Sequence, residues 1–265
     1  MELSIRIADP AGNITIFVMS AVSPQQYATV AAMLLAESKF SAEQVAFHVA
    51  PQMGAQGRIE MMGGEFCGNA TRSYGYLLSM LLPDHTSEVQ VEISGADHPL
   101  VVKIDKDHGR CETQMPLPTG KASIEFDGEA FDAICFDGIV HIIVPGASRG
   151  QAFVDGLLAA VKSEIESSAY GIMFLEGDRM TPVVYVCETD SLVWESSCGS
   201  GSMAVAALGA MTQREGVCHR ALQQPGGIIE AIARAQDGRV VQCIMGGPVG
   251  LSEEIKWTMP TFLNL

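Results

Sequence analysis

The sequence predicts an α/β (α+β) chain built as two pseudo-symmetric domains, and three observations carry that expectation. Short β-branched strand patterns alternate with a few helical ones along the whole length. A Cys-Gly pair at the start of a helical pattern occurs twice, at Cys67 and at Cys198, 131 residues apart in a chain of 265. The composition, 48% hydrophobic and 18% charged, is that of a globular protein with ample core for one large domain or two ordinary ones. A period of about half the chain implies two copies of a domain and not a solenoid.

The elements follow in order. "LSIRIA" and "ITIFVMS" read as strands joined through the turn "DPAGN", with Gly12-Asn13 closing a hairpin. Ser23-Pro24 reads as a cap with proline at the first helical position, opening a helix over "PQQYATVAAMLLAES". "QVAFHVAP" is a strand. After Cys67, apolar Tyr74, Leu77, Leu78, Leu81 and Leu82 recur at helical spacing, and Pro83 stops the helix. "EVQVEIS" and "PLVVKID" alternate as strands. The two prolines of "GRCETQMPLP" mark a crossover between domains. The second half repeats the plan: strands in "SIEF", "EAFDAICF" and "GIVHIIVPG", a helix over "GQAFVDGLLAAVKSEIES", and strands in "GIMFLE" and "TPVVYVCE". Cys198 then opens an apolar helix, "SMAVAALGAMTQR". "GIIEAIARA" and "RVVQCIMGGPVGLS" close as paired strands, and "IKWTMPTFL" is a last extended piece. The expected halves are 1–117, carrying Cys67, and 118–252, carrying Cys198. A tail from about 253 to 265 returns to the first, and the active site lies in the cleft between them.

Composition excludes several functions. Net charge is −15, from 31 acids and 16 bases, with no basic run. Nucleic acid is therefore not an expected partner, because phosphate binding needs clustered Lys and Arg. An anionic membrane surface is disfavoured for the same reason, and no apolar run is long enough to span a bilayer. "MELSIRIADPAGN" has no apolar core of a secretory signal. Seven cysteines, odd in number and without Cys-x-x-Cys spacing, predict neither a disulfide framework nor a zinc ribbon. A cytoplasmic protein with reduced thiols is expected. A homodimer is compatible with the sequence, which does not fix the oligomeric state. No Walker or dinucleotide glycine motif is present, and no cofactor is expected. Asp84-His85, Asp97-His98 and Asp107-His108 read as solvated turns, so no metal site is expected.

The chemistry resides in "GGEFCGNATRSYGYLL" and "WESSCGSGSMAVAALG". Each puts a thiol before a glycine at a helix start. Backbone N–H groups there lack internal partners, and the macrodipole adds positive charge. Gly68 and Gly199 let a ligand approach that backbone, which suits a carboxylate. The same field is expected to lower the thiol pKa toward neutrality. Two such helix starts facing one ligand would set two sulfurs on opposite faces of its α-carbon. A thiolate would remove the α-proton and a thiol on the other side would supply one, inverting the centre.

The residues also carry a resemblance. "EFCGNATR" resembles the "CGNGAR" motif of the diaminopimelate epimerase family, and "WESSCGSGS" resembles its second motif, an acidic residue followed by "ACGTG". "AGNITIFV" is similar to that family's N-terminal Gly-Asn motif, and "GIVHIIV" to its "NPHAVVF" segment. The four landmarks appear in family order across nearly the whole chain. The resemblance implies two domains, each a β-sheet or barrel around a central helix. It also implies a racemase or epimerase free of pyridoxal phosphate, with Cys67 and Cys198 as base and acid. Gly68, Asn69, Gly199 and Ser200 would hold the substrate carboxylate. Asn13 and His141 would lie beside the substrate, and Glu195 would hold its amino group. His141 also sits in an apolar strand, the setting of a buried, hydrogen-bonded core histidine. Ser196 stands where that family has an arginine, and Ile139 where it has an asparagine. A distal carboxylate would thus be left unpaired. An amino acid with a neutral side chain fits better, and the short second motif resembles the histidine racemases of bacterial metallophore synthesis. Diaminopimelate epimerase and a proline or hydroxyproline racemase remain as alternatives. So do a phenazine-type isomerase or lyase and a non-catalytic small-carboxylate binder.

Overall fold

The structure is a computed structural model that describes residues 1–83 and 86–259. The Asp84-His85 turn and the end of the expected last extended piece lie outside the described residues. The chain divides into two compact units: Met1–Thr113 together with the segment from Gly247 onward, and Gln114–Gly246.

In the first unit, β1 (Glu2–Asp9) and β2 (Thr15–Val18) form the expected hairpin, with Gly12 at φ +84° in its turn. A single 3-10 turn at Pro24–Gln26 precedes α1 (Tyr27–Leu35), so the expected helix is shorter and starts later. β3 (Gln44–Val49), β4 (Gly57–Met61), α2 (Gly68–Met80), β5 (Glu88–Ile93), β6 (Leu100–Asp105) and β7 (Arg110–Gln114) follow. β2 pairs β3 in parallel, β3 pairs β4 antiparallel, and β4 pairs β5 in parallel. β5, β6 and β7 run antiparallel. α2 packs on β1, β4, β5 and β6. Ala70, Tyr74, Leu77 and Leu78 of α2 pack among Phe17, Ile59, Val89, Val91 and Val102. α1 covers the other face through Val30, Ala31 and Leu34. The apolar stripe expected to run on through Leu82 does not stay in the core. α2 ends at Met80, ahead of Pro83, and Leu81 is 63% exposed, because the chain turns away before another helical turn can form.

The second unit repeats this plan. β8 (Gly120–Phe126), β9 (Glu129–Phe136) and β10 (Ile139–Pro145) run antiparallel. α3 (Gln151–Glu164) then crosses to β11 (Ala169–Glu176), parallel to β10. β12 (Arg179–Val186) and β13 (Ser191–Trp194) pair antiparallel. α4 (Gly199–Gln213) leads to β14 (Gly216–Gln224), β15 (Gly227–Gln236) and β16 (Arg239–Pro248), all antiparallel. α4 packs on β9, β10, β11, β14 and β15. Its sequence is apolar nearly all round, which suits a helix enclosed by sheet. Met203 to Ala207 and Ala210 are buried. α3 covers the outer face with Val154, Leu157, Leu158 and Val161. The last strands, β17 (Gly250–Leu251) and β18 (Ile255–Thr258), pair with β1. Each unit thus has one enclosed helix, α2 or α4, and one outer helix.

Candidate active site

Cys67 is the N-cap of α2 and Cys198 the N-cap of α4, both in extended conformation (φ −136° and −126°). The two caps are built alike. The Cys67 sulfur accepts the Ala70 N–H at 3.4 Å, and the Cys198 sulfur accepts the Gly201 N–H at 3.4 Å. Thr71 Oγ1 donates to the Cys67 carbonyl at 2.8 Å, and Ser202 Oγ donates to the Cys198 carbonyl at 2.7 Å. A cap acceptor at the third helical N–H satisfies one of the orphan donors of a helix start. Here a sulfur occupies that place in both units.

The loop carrying Cys67 is held from the β5–β6 turn. Ser94 Oγ donates to the Glu65 carbonyl at 3.0 Å and accepts the Met61 N–H at 2.9 Å. Gly95, at φ +74°, follows, and a Cβ there would come 2.4 Å from the Phe66 nitrogen. Only glycine lets the turn sit under this loop. Around the sulfur, Gln44 Nε2 reaches Cys67 Sγ at 3.3 Å, Thr15 Oγ1 at 2.8 Å and Asn13 Oδ1 at 2.9 Å. Asn69 is buried, and its Nδ2 donates to Asn13 Oδ1 at 3.2 Å. Asn13 Nδ2 donates to Glu43 Oε2 at 2.8 Å. Asn13, Gly68, Asn69 and Cys67 are therefore brought together, with the Asn69 side chain already engaged by the protein.

In the second unit, the Cys198 N–H donates to Gln224 Oε1 at 2.8 Å, and Gln224 Nε2 donates to Ser202 Oγ at 2.9 Å. Ser200 Oγ lies 3.6 Å from Cys198 Sγ and 2.9 Å from His141 Nε2. Glu195 sits beside the Cys198 thiol and bonds it. Gly199 and Ser200 are partly exposed. His141 is not: it is fully buried, its Nδ1 has no partner, and burial pushes its pKa down to about 3. Its ring contacts the Ser200 hydroxyl.

The expected lowering of the thiol pKa values is not what the structure supports. Burial pushes Cys67 up. The N–H groups of Ala70 and Asn69 and the Gln44 amide favour the thiolate but do not outweigh burial, and Glu65 adds to the rise. Cys198 is pushed well above the ordinary thiol value by burial and by Glu195, against Ser200 and the Gly201 N–H. Desolvation of a sulfur anion outweighs a few neutral donors and a helix end. All seven cysteines are free thiols. Among the described residues no helix is long and apolar enough to cross a membrane.

Gln44, Thr71, Ser202 and Gln224 complete the two caps and were not singled out from sequence. Thr71 and Ser202 had a usable signal, a hydroxyl four residues after each cysteine. Gln44 and Gln224 reach in from β3 and β14, and no local pattern marks them.

The family model for the histidine racemase CntK N-terminal domain matches residues 4–256. A histidine racemase of Staphylococcus aureus is 32% identical over 237 residues, covering 83% of this chain and 85% of that protein. Among solved structures, a PhzF-family phenazine biosynthesis protein of Bacillus anthracis superposes with a TM-score of 0.70 at 11% identity. It covers 98% of this chain and all of that one. A probable proline racemase of Agrobacterium radiobacter gives a TM-score of 0.66 at 14% identity, over 99% and 94%. These last two likenesses are of fold. By the family match and the Staphylococcus relative, this chain is an isomerase of the racemase and epimerase class and belongs to the histidine racemase family.

Proposed function

We propose that this protein racemises histidine by a two-base mechanism, with Cys67 and Cys198 as the proton-transferring groups and no pyridoxal phosphate. The observation that carries the reading is the shared cap geometry: each sulfur stands at the start of its unit's enclosed helix, on the third N–H, its carbonyl tied to a hydroxyl one turn on.

In this reading one amino acid is held by both helix starts. Backbone N–H groups near Gly68, Asn69, Gly199 and Ser200 receive its carboxylate, and Glu195 receives its ammonium group. One cysteine, as thiolate, takes the α-proton and becomes a thiol. The bonding pair stays on the α-carbon and spreads into the carboxylate, whose charge the N–H groups stabilise. The other cysteine delivers its proton to the opposite face and becomes the thiolate. Atoms, charge and redox state balance, and the product is the mirror image. The roles reverse for the other enantiomer, so the pair titrates as one coupled system.

Histidine is preferred on two grounds. The family relatives bear that name, and Ser196 and Ile139 supply no cation or amide for a distal carboxylate. Free thiols fit a reducing compartment, and a cytoplasmic location belongs to this reading.

The test is proton NMR of an L-amino-acid panel, including histidine, proline and diaminopimelate, in heavy water with reductant. Loss of the α-proton signal from histidine alone is expected, with D-histidine accumulating. Cys67→Ala and Cys198→Ala should each abolish inversion. Exchange on proline or diaminopimelate but not histidine refutes the substrate, and full activity in either alanine variant refutes the mechanism.

A further inference from the structure

Arg72, five residues into the motif that begins at Cys67, is 0% exposed. Its guanidinium meets neutral groups: Asn69 Oδ1 from Nε at 3.2 Å, the Gly247 and Pro248 carbonyls from Nη1 at 3.0 and 3.2 Å, and the Cys111 thiol beside it. Nη2 is buried without any partner. Among the described residues Arg72 makes no ion pair. An arginine does not escape this cost by losing its proton, so a full positive charge sits unpaired inside the unit. Helical side chains lean toward the helix N-terminus, and the bond back to Asn69, three residues earlier, shows that this one does. The charge is thus directed toward the helix start that bears the Cys67 sulfur. It is also joined through Asn69 to Asn13 and thence to Gln44, which touches that sulfur.

We infer that Arg72 is a positioning residue whose unpaired charge serves as the standing counter-charge of the first half-site, holding Asn69 in place and favouring the Cys67 thiolate. This rests on the reading of Cys67 as a proton-transferring group. The charge acts where the macrodipole and three neutral donors leave the thiol too weakly acidic. The groups that share its surroundings are Glu65, which opposes the thiolate, and Cys111 and Arg110 beside the guanidinium. Cys111 is also bound to the helix backbone, its Sγ donating to the Arg72 carbonyl at 3.2 Å.

The test reads the thiolate without using activity. Cys67 and Cys198 are alkylated with iodoacetamide across pH, and each site is quantified by peptide mass spectrometry. Arg72→Gln keeps an amide for the Gly247 carbonyl but removes the charge; Arg72→Lys keeps the charge. In Arg72→Gln the Cys67 profile is expected to move up by about one pH unit or more, tenfold in thiolate at fixed pH, while the Cys198 profile stays. In Arg72→Lys it should stay within a few tenths of a unit of the wild type. A folded Arg72→Gln with an unmoved Cys67 profile overturns the inference. So does a lysine variant shifted by a unit or more, and that arm decides the matter if the glutamine variant does not fold. Because no substrate is involved, a wrong choice of amino acid leaves this test intact. Activity adds one discrimination: a lower kcat on histidine with an unmoved alkylation profile means that Arg72 is only a tether for Gly247 and Pro248.

Discussion

His141 Nε2 lies 2.9 Å from Ser200 Oγ. That hydroxyl is 3.6 Å from the Cys198 sulfur, so the ring, the hydroxyl and the thiol form a chain. The tautomer follows from the other nitrogen. Nδ1 is buried without a partner, and a bare lone pair there costs less than an orphaned N–H. The proton therefore sits on Nε2, His141 donates to Ser200, and the Ser200 hydroxyl is left to donate to sulfur. Ser200→Ala should lower the rate of α-proton exchange about 10- to 100-fold. With a pKa near 3, His141 should give the activity profile no limb between pH 5 and 8. A limb there that His141→Gln removes would show the ring to be titrating.

The same ring predicts the effect of a single methyl group. A Cβ at Gly171 would come 2.2 Å from His141 Nδ1. Gly171→Ala should displace the ring, cost about 1–3 kcal/mol in denaturant unfolding, and reproduce the activity loss of Ser200→Ala. An alanine variant with wild-type stability and exchange rate would mean that the ring is free to move.

The paired hydroxyls predict independent effects. Thr71→Val and Ser202→Ala each remove one bond to a cysteine carbonyl, worth about 1 kcal/mol. They lie in different units and share no partner, so their costs should add within about 0.5 kcal/mol. Ser202→Ala also strands Gln224 Nε2 and should be the larger. Strong coupling between the two in urea unfolding would contradict independent caps.

The thiols set the pH behaviour. Both folded-state pKa values are raised by burial, Cys198 the more. Racemisation should therefore climb with pH above neutrality, because the required thiolate becomes more populated. Stability runs the other way. A thiol raised in the folded state holds its proton where the unfolded chain has lost it. The stability it contributes is complete below the unfolded thiol pKa and is lost as pH rises through the folded one. A kcat/KM profile already flat at pH 7 would show that the buried state described here is not the reacting one.

Glu92 predicts an acid-side effect away from the site. It is fully buried and accepts the N–H groups of Gln52, Met53 and Ala55 and an N–H of Arg58. These bonds hold its carboxyl below the usual range against the cost of burial. Its contribution is present above the unfolded carboxylate pKa and is lost as pH falls through the lowered folded one. Glu92→Gln should cost about 2–4 kcal/mol and flatten the fall of stability on the acid side, as read by urea midpoints at several pH values.

Local grammar determined much of this. The period-2 strands, the turn at Gly12-Asn13 and the Cys-Gly pairs at two helix starts were legible because each is decided by neighbours within one turn or one hairpin. β4, β7 and β14 were not, since their residues mix charge and bulk and become strands only by pairing, and β13 is only four residues long. What the two sulfurs experience was decided by the fold alone. Burial raises both thiols against a helix field that, from the sequence, should lower them. Gln44, which opposes burial at Cys67, arrives from β3, and Gln224, which holds the Cys198 N–H, arrives from β14. His141, which the motif order puts at the substrate, becomes the buried support of Ser200. Sequence places a residue at a helix start, but desolvation and long-range hydrogen bonds depend on what the sheet brings over it, and that is fixed only when the chain packs.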